Sequence, residues 1–375
     1  MEINPFYTTS VIPAQFFCDR QKETEDIIRI LTNGNNLVLK GPRRLGKSGL
    51  IHHVFEDSRI GNRYNTFYFD IYATSSLEEF ANLLGRAIYK TLASKQKKLA
   101  DGFLTLLKSL SLKMETDPVS GVLIPGLGLK KMQNTELTLD EIFDFLEKSE
   151  TPNIVAIDEF QQIQYYSEYN MAALLRTRIQ KMNNTKFIFS GSERHMLDIM
   201  FAQQDNPFFK SARSMDIGPI PEDVYCAFAQ KMFRQFGKDA EEEAVRYVYK
   251  LFDGVTYYVQ ETMNEAFSVL SAGETLNRTI IDKVIQWLVD SNESRCLDIL
   301  DELTLVQRKV LGAIAKEWKV EDITSATFVT RYHLSSASSV QSAVRALIKK
   351  KLVTRERNTY FLPDKYLALW LSMHY

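Results

Sequence analysis

Gly41-Pro42-Arg43-Arg44-Leu45-Gly46-Lys47-Ser48 is an unbroken G-x-x-x-x-G-K-[ST] stretch, and it follows an apolar run at 37–39 that reads as a buried strand. The spacing suits a loop whose backbone N–H groups wrap a phosphate chain, with Lys47 reaching the terminal oxygens and Ser48 meeting Mg2+. A helix that starts near Lys47 and carries Gly49 in its first turn brings its positive dipole end to the same anion. Gly41 through Gly49 is therefore the candidate nucleotide-binding segment.

Working outward, residues 20–31 carry Ile27, Ile28 and Leu31 at helical spacing, and Asn33-Gly34-Asn35-Asn36 breaks the chain before the loop strand. Strand-like runs at 67–71, 154–157 and 186–190 alternate with helical patterns at 77–92, 139–148 and 171–182. That alternation predicts an α/β fold, a three-layer α/β/α parallel sheet, over a first domain 1–221. Between 110 and 138 the pattern changes. Two short strand-like pieces flank Asp117-Pro118-Val119-Ser120-Gly121, and Pro125-Gly126-Leu127-Gly128 follows, which predicts an inserted hairpin or loop.

From 222 to 295 the apolar periodicity is helical, in runs at 224–236, 240–251, 259–270 and 280–288, so a small helical domain is expected. The remainder, 296–375, opens with a helical run at 304–318. A basic amphipathic helix at 340–351 then leads into a hairpin over 352–362 that turns at Arg357-Asn358, the order of a winged helix.

The second half of the candidate site is Ile154-Val155-Ala156-Ile157 followed by Asp158-Glu159. A buried strand that ends in two carboxylates delivers them to the carboxyl edge of a parallel sheet, where ligands of open α/β folds bind. Asp158 is then the metal carboxylate beside Ser48, and Glu159 orients or deprotonates the attacking water. The alternative for Glu159 is a cap on the following helix. Phe187-Ile188-Phe189 ends in Ser190-Gly191-Ser192, so Ser190 or Ser192 is a candidate contact to the terminal phosphate or the water, or else an N-cap. Arg194 and Arg213 are the candidate guanidinium groups for the charge that spreads in phosphoryl transfer. His52 and His53 lack metal-ligand partners at useful spacing and read as packing or surface residues.

The chain has 375 residues, more than one core usually serves, and its formal net charge is -1. That balance gives no whole-molecule signature of nucleic-acid binding. One segment departs from it. Between 331 and 357, Arg331, Arg345, Lys349, Lys350, Lys351, Arg355 and Arg357 face Glu356 alone, a local balance of +6. This suits double-stranded DNA held through Arg345, Lys349, Lys350, Lys351 and Arg355, while a winged helix serves a protein partner equally well. Cys18, Cys226 and Cys296 are far apart and odd in number, which argues against a disulfide framework or zinc site and fits the cytoplasm. No secretory pattern or membrane span is expected.

These motifs together resemble the archaeal-type ATPases, also found in bacteria, of the STAND branch of AAA+ proteins. Asn4-Pro5-Phe6 and FCDRQKE at 17–23 look like the family's lead-in, whose arginine, here Arg20, lies near the nucleotide or braces the sheet. GPRRLGKS, AIDEFQ and FIFSGSERHMLDIMF are similar to its successive strands, and Pro207-Phe208-Phe209 with Gly218-Pro219-Ile220 to its passage into a helical lid. The resemblance implies an ATPase that uses ATP with Mg2+ and closes its lid on nucleotide, repositioning the winged helix. One departure is Thr256, in Gly254-Val255-Thr256-Tyr257-Tyr258, where the family's lid motif carries proline. No N-K-x-D pattern occurs to read guanine. A regulator that holds ATP with negligible turnover is the alternative reading, and a monomer or an oligomer sharing an arginine would both fit.

Overall fold

The computed structural model describes residues 3–109, 114–116, 123–125, 135–166 and 170–374. The chain forms two compact units, Thr8–Pro221 and a second built from Met1–Tyr7 with Glu222–Tyr375.

In the first unit the described strands are β1 (Leu37–Lys40), β2 (Asn65–Asp70), β3 (Met114–Thr116), β4 (Leu123–Pro125), β5 (Asn153–Asp158), β6 (Thr185–Gly191) and β7 (Arg213–Asp216). Five of them make one sheet in the order β2-β5-β6-β1-β7, with every described pairing parallel. All six residues of β5 and all four of β1 are buried, as expected of interior strands covered on both faces. At one edge, β2 alternates buried and half-buried residues; at the other, β7 is short and mostly exposed. Strands β3 and β4 pair antiparallel, so the expected hairpin is present. Its turn at 117–122 and the glycines at 126 and 128 lie outside the described residues.

Helices α1 (Gln21–Thr32), α2 (Lys47–Glu56), α3 (Ser58–Gly61), α4 (Leu77–Lys95), α5 (Lys97–Ser109), α6 (Thr135–Glu147), α7 (Met171–Ile179) and α8 (Arg194–Ala202) complete this unit. Helix α4 buries Phe80, Leu84, Ile88 and Leu92, one per turn, and Ser76 caps it by accepting from the Glu79 N–H. Phe160, Phe189, Phe201 and Phe208 interlock with centroids 4.5–5.9 Å apart, fixing the turn after β5 against the end of β6 and α8.

The second unit contains α9 (Glu222–Gln235), β8 (Asp239–Ala240), α10 (Glu242–Leu251), α11 (Thr256–Val269), β9 (Thr275–Leu276), α12 (Arg278–Asp290) and α13 (Glu293–Asp301). It continues with α14 (Leu305–Glu317), α15 (Ala326–Arg331), α16 (Ala337–Lys349), β10 (Thr354–Glu356), β11 (Thr359–Phe361) and α17 (Lys365–His374). Strands β10 and β11 form the expected wing after α16. The lead-in at Asn4-Pro5-Phe6 belongs here and not with the sheet, which corrects the expected first domain 1–221. Its reason is local: Phe6 is fully buried against Phe233 and Phe267, while Asn4 donates to the Asn264 carbonyl at 2.8 Å and Asn264 donates to the Phe6 carbonyl at 2.6 Å.

Helices 222–295 and the winged helix share this unit through a polar joint centred on the buried Lys365. Asp253 accepts from Lys365 Nζ at 2.9 Å, Lys319 Nζ at 2.8 Å and Trp318 Nε1 at 3.3 Å. The Tyr258 hydroxyl accepts from the Lys365 N–H at 3.0 Å, and Arg295 pairs with Asp364. Thr256 occupies the first position of α11, where a proline is tolerated because that N–H has no helical partner.

Candidate nucleotide-binding site

Lys40 ends β1 and the loop begins at Gly41, whose absent side chain is a steric requirement: a Cβ there would stand 2.8 Å from Ile217 Cγ1 and 2.9 Å from its carbonyl oxygen. Arg44 and Gly46 take left-handed φ of 68° and 85°, so successive N–H groups of the loop turn inward before α2 starts at Lys47. Lys47 is 6 % exposed and its Nζ donates to the carbonyls of Gly41 at 2.8 Å and Pro42 at 2.9 Å. Burial pulls its pKa below the ordinary lysine value, while Glu159 and Asp158 pull the other way. Arg20, almost fully buried, donates to the Gly218 carbonyl at 2.6 Å and the Leu45 carbonyl at 3.5 Å, and pairs with Glu23. In this arrangement it braces the loop against the chain after β7.

Asp158 stands at the carboxyl end of β5. Its Oδ2 accepts from Ser48 Oγ and from the Tyr68 hydroxyl, both at 2.6 Å, and its Oδ1 accepts from the Glu159 N–H at 3.0 Å. Loop serine and strand carboxylate are thus joined directly. Mg2+ in phosphate sites takes few protein ligands and keeps several waters. Ser48 and Asp158 fit that demand, and among the described residues no group of three or more His, Cys, Asp or Glu makes a dedicated metal cage.

Glu159 has a left-handed φ of 54°, a conformation of modest cost that recurs at functional positions. Its Oε2 accepts from Ser192 Oγ at 2.7 Å, from the Ser192 N–H at 3.4 Å and from Gln161 Nε2. Arg43 Nε lies 4.0 Å from Oε1 and 3.3 Å from Ser192 Oγ, with its guanidinium over the Tyr72 ring. The structure therefore brings Ser192 to Glu159. Ser190 is fully buried one position before Gly191, and its Oγ has no hydrogen-bond partner among the described residues. Gln161 rests on Gly191, where a Cβ would come within 2.1 Å of its Oε1.

Arg194 donates to the Ile217 carbonyl at 3.0 Å and lies 3.7 Å from Asp216, beside the loop. Arg213 is elsewhere. It pairs in register with Leu37, whereas the loop leaves from Lys40, the partner of Asp216. Three strand positions, about 10 Å, carry Arg213 toward the opposite edge of the sheet. His52 packs against Tyr68 and His53 stacks on Phe17.

Three contributors escaped the sequence reading. Tyr68 was signalled only by strand alternation, as the half-buried member between buried Phe67 and Phe69. Gln161 stood only as the last residue of AIDEFQ, with no role assigned to it. Lys40 reads as an intrusion in an apolar strand, yet it is buried and meets Asp198 and Asp216 next to the loop. At the end of β2, burial and the neighbouring Asp158 and Glu159 push the Asp70 carboxyl up.

On the winged helix, Arg345, Lys349, Lys350, Lys351, Arg355 and Arg357 are all exposed. Lys350 reaches the Glu302 carbonyl at 3.4 Å, and Arg355 lies over Tyr360 and bonds the Arg357 carbonyl at 3.0 Å. Arg331 is tied instead to Glu317.

A parallel sheet with a glycine-lined loop at its carboxyl edge, a serine-to-carboxylate bond and an attached wing defines a P-loop nucleotide-binding fold with a winged-helix domain. Residues 17–262 match the family described as "ATPase domain predominantly from Archaea", and the chain belongs to that family. Residues 297–373 match the one described as "Probable winged helix domain". An uncharacterized ATP-binding protein of Methanocaldococcus jannaschii is 25 % identical over 210 residues, which cover 53 % of this chain and 56 % of that relative. The chain thus spans little more than half the length of this curated relative. The fold is similar to that of a Walker-type ATPase of Pyrococcus abyssi, with TM-score 0.63 at 18 % identity over 98 % of this chain and 99 % of the other. It is also similar to the ORC2 protein of Aeropyrum pernix, with TM-score 0.59 at 14 % identity over 99 % and 96 %. No helix among the described residues is long and apolar enough to cross a membrane.

Proposed function

We propose that this protein is a cytoplasmic, Mg2+-dependent ATP-hydrolysing switch of the STAND/AAA+ type that acts through its winged helix. The observation that carries the reading is the Ser48–Asp158 bond at the mouth of the loop, with the Glu159 carboxylate held beside it by Ser192. The loop N–H groups from Gly41 to Gly49 receive the phosphates, and Lys47 exchanges its two loop carbonyls for phosphate oxygens. Ser48 and Asp158 hold Mg2+, which when bound neutralises phosphate charge. Glu159 takes the proton of the attacking water, and the unpartnered Ser190 Oγ is available to it or to the terminal phosphate. Arg194 is the arginine placed to meet developing charge. We set Arg213 aside from that role within one chain because it lies at the amino end of β7, three positions before Asp216.

For the output, the exposed basic face of α16 and the wing favours duplex DNA over a protein partner. An Aeropyrum pernix ORC1 protein, solved in complex with DNA, shares the fold at TM-score 0.52 and 11 % identity, covering 98 % of this chain and 94 % of that one. The adenine preference rests on family membership and on the absence of N-K-x-D.

The test is the steady-state ATPase rate with and without duplex DNA, with Glu159→Gln as the blank. Stimulation by DNA is the expected result. Hydrolysis indifferent to DNA would redirect the output to a protein partner, and ATP held without turnover would leave a binding regulator in place of an ATPase.

A further inference from the structure

Asp158 has two neighbours on one oxygen, and only one of them belongs to the loop. Ser48 is on α2; Tyr68 comes from β2, the strand beside β5, and its hydroxyl reaches Oδ2 at 2.6 Å. With the Glu159 N–H on Oδ1, the carboxylate is fixed from three directions. The Tyr68 ring is itself held: it sits against the His52 ring at 4.5 Å and extends from a strand whose flanking Phe67 and Phe69 are buried in the core.

We infer that Tyr68 is a positioning residue for the metal carboxylate, setting the orientation in which Asp158 meets Mg2+. The inference rests on the proposed reading that ATP and Mg2+ occupy this site. When Ser48 turns its oxygen to the cation, the Tyr68 hydroxyl remains a fixed donor to Asp158 and keeps the carboxylate from rotating. Partners of this kind outside the ligand set orient a ligand and commonly change metal affinity by about 10–100-fold when removed. The neutral donor also leaves the charge of Asp158 uncompensated for the cation, where a lysine would have cancelled it.

Tyr68→Phe removes one oxygen and keeps the ring. The experiment titrates Mg2+ into protein held with a fluorescent ATP analogue, and measures analogue affinity separately in EDTA. In the variant the Mg2+ concentration for half-maximal effect is expected to rise about tenfold, with EDTA affinity unchanged. A merely structural role would weaken both equally, and that result overturns the inference, as does an unchanged or lowered Mg2+ midpoint. Should the wild type bind the analogue with no response to Mg2+, the Mg2+-ATP reading fails and the inference falls with it. A wild-type response that Tyr68→Phe leaves intact sinks the inference alone. His52→Ala serves as the companion variant: it loosens the ring but keeps the hydroxyl, and its Mg2+ midpoint is expected to move less than that of Tyr68→Phe.

Discussion

Asp158 and Asp253 are both carboxylates crowded by donors, one in each unit, and their donors differ in kind. Asp158 accepts from two hydroxyls and a backbone N–H, all neutral. Asp253 accepts from two ammonium groups, Lys319 and the nearly buried Lys365, as well as from Trp318. Neutral donors orient a charge without cancelling it, so Asp158 keeps a full negative charge to offer a cation. Cationic donors cancel it, and Asp253 is spent on holding α17 and Trp318 to the turn before α11. Hydrogen-bond number alone would not separate the two; the charge of the donors does.

The largest effect is expected at Asp158. Asp158→Asn is expected to reduce ATP hydrolysis by about 10²-fold or more, since the amide loses the charge and its single oxygen can accept on only one of the two sides now bonded. Thermal unfolding of the same variant should move by no more than about 1 kcal/mol. A variant that hydrolyses normally would place the metal elsewhere.

Asp253→Ala should do the reverse. It leaves Lys365 buried without its counter-charge, at a cost of about 2 kcal/mol, below the range for fully buried pairs because Asp253 is 31 % exposed. Hydrolysis normalised to folded protein should stay within threefold of wild type. Burial raises the Asp253 pKa, but the bonds from Lys319 and Lys365 outweigh it and hold the carboxyl below its ordinary value. Its contribution is therefore complete above an unfolded carboxylate pKa of about 3.9 and is lost as pH falls through the lowered native value. Asp253→Asn should flatten that acid limb when melting temperature is followed between pH 6 and 2.

The smallest effect belongs to the wing side. Lys349→Glu with Lys350→Glu should weaken duplex DNA binding about tenfold at moderate salt and lower the salt slope by about two, leaving basal ATPase unchanged. Binding that ignores these charges would remove DNA as the partner of this face.

What was legible in the sequence was whatever is contiguous. The loop and Asp158-Glu159 are runs whose spacing is itself the chemistry, and the strand-helix alternation gave the parallel sheet. Tyr68, Gln161 and Lys40 act across strand register: Tyr68 meets Asp158 only because β2 lies beside β5, and Gln161 settles where Gly191 leaves room. Arg213 illustrates the converse. Its type suited a catalytic role, but a strand has two ends and the sequence does not say which one faces the loop. The lead-in through Phe6 was misassigned for a similar reason, since its aromatic pocket is assembled from residues more than two hundred positions away.

Under the proposed function, Glu159 works on water at a site built by Lys47, Ser48 and Asp158. Single-turnover hydrolysis of pre-bound ATP in wild type and Glu159→Gln tests it most directly. Both proteins are expected to bind ATP, and the variant to release phosphate at least about 10²-fold more slowly; equal release rates from equally loaded proteins would contradict a role for Glu159 in activating water.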